Sequence, residues 1–288
     1  MALTVNTNVA SLNAQRNLQT NQAGLSSVFQ RLSSGLRVNS AKDDAAGLAV
    51  AEGLSSIIRG ANVATRNAND GISMGQTAET ALGNIGNSLQ RIREIAVQAA
   101  NGSITNTQRT NLQKEVDQLT QEISRTIGGT SFNSVGLLDR SNSGGITFQI
   151  GAGSADTVTI SGANITGLTS FQSGAASAGV TGGVSAVGAI DVSTASGASA
   201  ALSWLDDDIN TVTSKRATFG AVQNRFEAVI NGLQGYSESL SAARGRIVDA
   251  DFAAETAALT RGQILQQAST AILAQANALP QNALTLLR

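Results

Sequence analysis

Residues 219–247, FGAVQNRFEAVINGLQGYSESLSAARGRI, place apolar side chains at Phe219, Val222, Phe226, Val229, Leu233, Tyr236, Leu240, Ala243 and Ile247. The steps alternate between three and four, the heptad spacing of a coiled-coil seam. A strand cannot use this pattern, because its side chains change face at every residue. The spacing therefore predicts a long helix whose stripe other helices must cover. Two further runs supply the cover. Leu82, Ile85, Leu89, Ile92, Ala96 and Ala99 stop at Asn101-Gly102, where glycine can take the left-handed turn that ends a helix. Leu112, Val116, Leu119, Ile123 and Ile127 stop at Gly128-Gly129. The three segments are expected to form one bundle.

Further out, both ends of the chain carry their own heptads: Leu18, Leu25 and Leu32 with Val28, and Leu265, Ile272, Leu279 and Leu286 with Ala268. Terminal segments fray unless something holds them, so apolar seams there imply a covering partner. The natural partners are the two ends themselves and further copies of the chain, which makes these nine residues the expected self-assembly surface. Between residues 141 and 200 the character changes: Asp156 and Asp191 are the only charges, and Gly, Ser, Thr and Ala dominate. Ile146–Ile150 and Val158–Ile160, separated by Gly-Ala-Gly-Ser-Ala-Asp, read as a β-hairpin. The expected fold is mainly α, a long coiled-coil-like bundle built from N- and C-terminal segments with a small β-rich excursion. Three regions follow: 1–44 with 250–288, 45–140 with 201–249, and 141–200.

Composition narrows the function. The chain has no His and no Cys, so the commonest general base, the thiol nucleophile, disulfides and ordinary zinc ligands are all missing. No catalytic, metal or cofactor site is expected. A net charge of −1 offers no basic face for nucleic acid. Met1–Leu18 lacks a cationic segment followed by an apolar run, and no stretch approaches the ~18 apolar residues of a membrane span, so neither a cleavable secretory signal nor a membrane role is expected. The acidic groups Asp43-Asp44, Asp206–Asp208 and Asp249 with Asp251 read as helix-flanking charges, and Asp206–Asp208 are expected to start the helix that carries Phe219. Asn101-Gly102-Ser103 and Asn164-Ile165-Thr166 match the short N-glycosylation pattern, which recurs by chance; the Ser/Thr-rich excursion suits O-linked sugars better.

The stretch Leu32-Ser-Ser-Gly-Leu-Arg-Val-Asn-Ser-Ala-Lys-Asp-Asp-Ala-Ala-Gly47 closely resembles the N-terminal signature of bacterial flagellins, and Ser269–Arg288, with Leu273-Ala-Gln-Ala-Asn277, resembles their C-terminus. The likeness covers roughly residues 1–140 and 205–288. It implies a secreted, non-enzymatic subunit of the extracellular flagellar filament, with terminal helices inside the tube, the bundle around them and the excursion facing solvent. It also implies unfolded export through the flagellar type III apparatus and dealings with an export chaperone, the filament cap and hook-junction proteins. Pro280 interrupts the last seam, and flagellins often carry a proline there, so the helix is expected to kink or end nearby. Gln90–Val97 resembles the segment bound by the animal Toll-like receptor that senses flagellin, which implicates Gln90, Arg91, Arg93, Ile95 and, on the neighbouring helix, Glu115. Arg91 and Ile95 are expected to face outward together. A hook–filament junction protein is the alternative within the same apparatus. An enzyme on a flagellin scaffold would need a catalytic insert, and the zinc-peptidase version needs histidines that are missing. A membrane-inserting translocator fits poorly with heptad-spaced apolar positions.

Overall fold

The computed structural model describes residues 7–139, 144–160, 165, 168 and 190–285, with side chains to residue 278 at the C-terminal end. Among the described residues there are five α-helices: α1 Val9–Ser34, α2 Ala45–Ala100, α3 Asn106–Gly129, α4 Ala195–Val248 and α5 Phe252–Thr285. Two antiparallel two-stranded sheets accompany them, β1 Ser131–Phe132 with β2 Val135–Gly136, and β3 Ile146–Gln149 with β4 Thr157–Ile160. The mainly helical fold with a small β excursion is as the sequence predicts. The chain divides into two compact units, Met1–Ile58 with Glu238–Arg288, and Arg59–Ser237.

The core of the second unit is the expected bundle. Leu82, Ile85, Leu89, Ile92, Ala96 and Ala99 of α2 are at most 1% exposed, and Val116, Ile123 and Ile127 of α3 are buried with them. On α4 the seam is covered at Phe219 and Phe226 but fades by Tyr236, which is half exposed. Its buried stripe runs the other way, through Leu205, Ala201 and Ala198. This corrects the expected helix start: α4 begins at Ala195, so Asp206–Asp208 lie inside it. The Thr194 hydroxyl, accepting from Gly197 N at 3.1 Å, marks the true beginning. An Ala/Ser/Gly segment that looks like loop is helical here because its alanines pack at helical spacing.

Helix ends are satisfied locally. Thr105 and Gln108 form a capping box at the start of α3. At the end of α2, Gly102 keeps a negative φ, contrary to the left-handed turn expected. The orphan carbonyls are taken instead by Arg109, only 6% exposed, which donates to Ala99 O at 2.7 Å and Asn101 O at 2.9 Å. The β1–β2 turn, which the sequence did not announce, holds Asn133 and Ser134 at φ 50° and 65°, the left-handed pair that a two-residue hairpin requires.

The β3–β4 hairpin pairs Ile146 with Ile160 and Gln149 with Thr157. It is pinned to α2 by Asn67 Nδ2 donating to Gln149 O at 2.9 Å. Phe148 meets the fully buried Phe226 edge to face, with centroids 5.6 Å apart. Phe226 needs the missing side chain of Gly71, since a Cβ there would sit 2.7 Å from its ring. Gly71→Ala is therefore expected to cost about 1–3 kcal/mol by overpacking. Gly83→Ala, with nothing within 4 Å of the new methyl, should instead stabilise the same helix by up to ~1 kcal/mol. Denaturant melts of the two variants check both signs.

Candidate functional site

Two surfaces carry the residues singled out in the sequence. The first lies in the unit formed by the chain ends, where α1 packs antiparallel on α5. Asn8 Nδ2 donates to Ala276 O at 2.7 Å, Asn21 Nδ2 reaches Ser269 Oγ at 3.2 Å, and Arg31 pairs with Glu255 at 3.4 Å. The buried or half-buried residues of α1 include Ser11, Ala14, Leu18, Asn21, Leu25, Val28 and Leu32, a continuous heptad series that contains every N-terminal residue predicted, with Ser27 and Arg31 half-buried beside it. The matching series on α5 is Glu255, Leu259, Gly262, Gln266, Ser269, Leu273 and Ala276. Leu25 fits against Gly262, where a Cβ would lie 3.0 Å from its Cδ1.

The predicted C-terminal seam occupies a different face of α5. Leu265 is 45% and Ile272 59% exposed, Ala268 is exposed, and Ile264 beside them is 61% exposed. The Leu279 side chain and Leu286 lie outside the described residues. Helix α5 does not end at Pro280 but runs on to Thr285.

Both helices are held at one corner of this unit. Gly35, at φ 70°, ends α1 with its N–H on Arg31 O. Leu36 and Asp249 form an antiparallel bridge, with Arg37 N donating to Val248 O at 2.6 Å and Ala250 N to Gly35 O at 2.9 Å. Asp43 closes the next turn, and hydrogen bonding from Ser40, first of all, holds its carboxyl below the ordinary range.

The second surface is the Arg91 face. The Arg91 guanidinium pairs with Glu115 of α3 at 2.8 Å and with Glu94 at 3.0 Å, and these carboxylates raise its pKa. Arg93 pairs on the other side with Asp206 of α4 at 2.6 Å. Gln90, Arg91, Arg93 and Glu115 are all exposed, and Arg91 and Glu115 are brought together as the sequence suggested. Ile95 is the exception, at 1% exposure. It faces inward because α2 is flanked by both α3 and α4. Its apolar stripe is therefore wider than a two-position seam and takes in Ile92, Ile95, Ala96 and Ala99 together. Asp206, which the sequence reading placed at a helix start, emerges instead as an interhelical partner.

These surfaces define a helical structural subunit, with apolar stripes at both chain ends and no described helix long and apolar enough to cross a membrane. Residues 5–143 match the family model for the bacterial flagellin N-terminal helical region, and residues 202–287 that for the C-terminal helical region, together more than half of the chain. A flagellin of Bacillus subtilis is 40% identical over 308 aligned positions, covering 99% of both chains, and flagellin B of Vibrio cholerae is 35% identical over 376, covering all of both. A solved protein from Vibrio parahaemolyticus, described as flagellar hook-associated, matches 72% of this chain and 100% of its own with a TM-score of 0.57; at 14% identity it shows a shared fold alone. The chain belongs to the bacterial flagellin family: it is a structural subunit of the flagellar filament, which lies outside the cell, and not an enzyme.

The Arg93–Asp206 pair has a testable electrostatic signature. Its hydrogen bond holds the Asp206 carboxyl below the ordinary aspartate value. Any stability it gives is thus present above the unfolded pKa and lost as pH falls through the lowered one. Carboxyl NMR titration should give a depressed Asp206 midpoint, returning to the ordinary range in Arg93→Ala. A midpoint equal in both proteins would mean the ion pair does not persist in solution.

Proposed function

We propose that the terminal helix pair polymerises by closing one face of α5 within the chain and the other between chains. The observation that carries this reading is the division of α5 into a seam turned to α1 and an exposed stripe of Ile264, Leu265, Ala268 and Ile272. Water leaves such a stripe only when another molecule covers it. Leu18, Leu25, Val28 and Leu32, half-covered by α5, are completed by neighbouring copies, and Leu279 and Leu286 continue the outer heptad. Growth is open and heterologous, each subunit placing one surface on a different surface of the next. Residues 1–44 with 250–288 form the inner wall, 45–140 with 201–249 the outer wall, and 141–200 the solvent-facing part. Delivery is by the flagellar type III route with an export chaperone, onto a junction protein and under a cap.

Leu265→Asp and Ile272→Asp test the stripe. Each buries a carboxylate without a partner and should abolish polymerisation, while circular dichroism of the monomer stays as in wild type. Normal filaments by electron microscopy from either variant would overturn the assignment.

We further propose that Gln90, Arg91, Arg93 and Glu115 form the surface read by the animal Toll-like receptor that senses flagellin. Supporting it is the Arg91 guanidinium, oriented by two carboxylates at an exposed helix face, since preorganised arginines are frequent binding hot spots. Ile95 acts by packing, not by touching the receptor. Truncating a hot spot costs ~2 kcal/mol, so Arg91→Ala should lower monomer potency in a reporter assay by roughly thirtyfold. Unchanged potency with preserved folding would remove this site.

A further inference from the structure

The chain contains the dipeptide Asn-Gly at two places, and the structure sets them in opposite chemical situations. Asn231-Gly232 lies inside α4, where the Gly232 N–H belongs to the helical hydrogen-bond ladder and the backbone is fixed in helical geometry. Asn101-Gly102 lies just past the end of α2, exposed, and the Gly102 N–H makes no hydrogen bond to the described residues. The Asn101 side chain is not free to wander: its Oδ1 accepts from Ser103 N at 3.1 Å. That bond fixes Oδ1 and polarises the carbonyl carbon, Cγ, of the same carboxamide.

We propose that Asn101 is a site of spontaneous modification, converting through a cyclic imide to aspartate and isoaspartate. The Gly102 amide nitrogen, having lost its proton to hydroxide, attacks Cγ of Asn101. Negative charge develops on Oδ1, opposite the Ser103 N–H, which serves as a preformed oxyanion donor. The Cγ–Nδ2 bond then breaks, and Nδ2 leaves as ammonia with a proton from water. Water opens the imide at either carbonyl, so the net change is amide plus water to acid plus ammonia. Glycine is what leaves the nitrogen open to attack, since it carries no Cβ to crowd the approach.

Arg109 gives one product a ready partner. Opening at the main-chain carbonyl yields isoaspartate, and the former Asn101 carbonyl becomes a free carboxylate. That carbonyl is the group Arg109 Nη2 already holds at 2.9 Å, and Arg109's other bonds go to Ala99 O and Asn106 Oδ1, neither of them anionic. The modification therefore supplies an anion to a buried cation, and it moves the main chain at the turn joining α2 to α3.

The test is ageing of the purified full-length protein at mildly alkaline pH, followed by tryptic mass spectrometry. The peptide between Arg93 and Arg109 carries Asn101, with Asn106 as an internal control, and the peptide between Arg225 and Arg244 carries Asn231. In the folded protein, conversion at Asn101 should exceed that at Asn231 by about a hundredfold or more, the scale of a single oxyanion donor. In denaturant the two rates should become similar, because the Asn-Gly dipeptide is the same at both sites. Gly102→Ala, which the open space accommodates, should lose most of the conversion at Asn101. Equal rates in the folded protein, dominance of Asn106, or undiminished conversion in Gly102→Ala would each overturn the assignment.

Discussion

How closely α1 and α5 can approach governs the unit formed by the chain ends. The face of α5 turned to α1 carries Gly262, Ser269 and Ala276, and α1 answers with Ser11 and Ala14. Small residues let two helices come near and let Asn8, Ser11 and Asn21 hydrogen-bond across the seam. They also bury little apolar area, at ~0.8 kcal/mol per methylene removed from water. The large aliphatics, Ile264, Leu265 and Ile272, are left outside. A helix pair built this way holds its geometry by shape and polar bonds, and in the proposed assembly its main hydrophobic driving force is kept for the next subunit.

The other unit is organised in the opposite sense. There the large side chains point inward, and one stripe of α2, from Met74 to Ala99, is buried in the core it shares with α3 and α4. Its exposed groups are tied down by ion pairs to either neighbour, Arg91 to Glu115 and Arg93 to Asp206. Exposed pairs of this kind add little stability, but they fix where charges sit, which is what a recognition surface requires. One unit thus buries its large aliphatics within itself, and the other leaves Ile264, Leu265 and Ile272 exposed.

Heptad positions were the legible part of the fold, because large aliphatics at alternating spacing leave no other structure open. The α2 and α3 seams, the α1 series around Leu18 and Leu25, and the β3–β4 hairpin could all be read from residues alone. The inward face of α5 could not, since Gly262, Gln266 and Ser269 carry no hydrophobic signal, and the louder Leu265–Ile272 heptad belongs to a different side. The start of α4 was hidden by Ala, Ser and Gly that resemble a loop until Ala198 and Ala201 are seen to pack. Arg109 showed no motif, as its role depends on carbonyls of a preceding helix. Ile95 is buried because α2 has two neighbouring helices, which a two-position seam does not describe.

Since the chain has no cysteine, the reactivity of a single introduced thiol reports burial without background. Ser269→Cys sits on the face closed by α1, and Ile272→Cys on the exposed face. If α5 closes one side within the chain and the other between chains, maleimide labelling at 269 should be slow in monomer and filament alike. Labelling at 272 should be fast in the monomer and strongly suppressed in the filament. Equally fast labelling at 272 in both states would contradict the account.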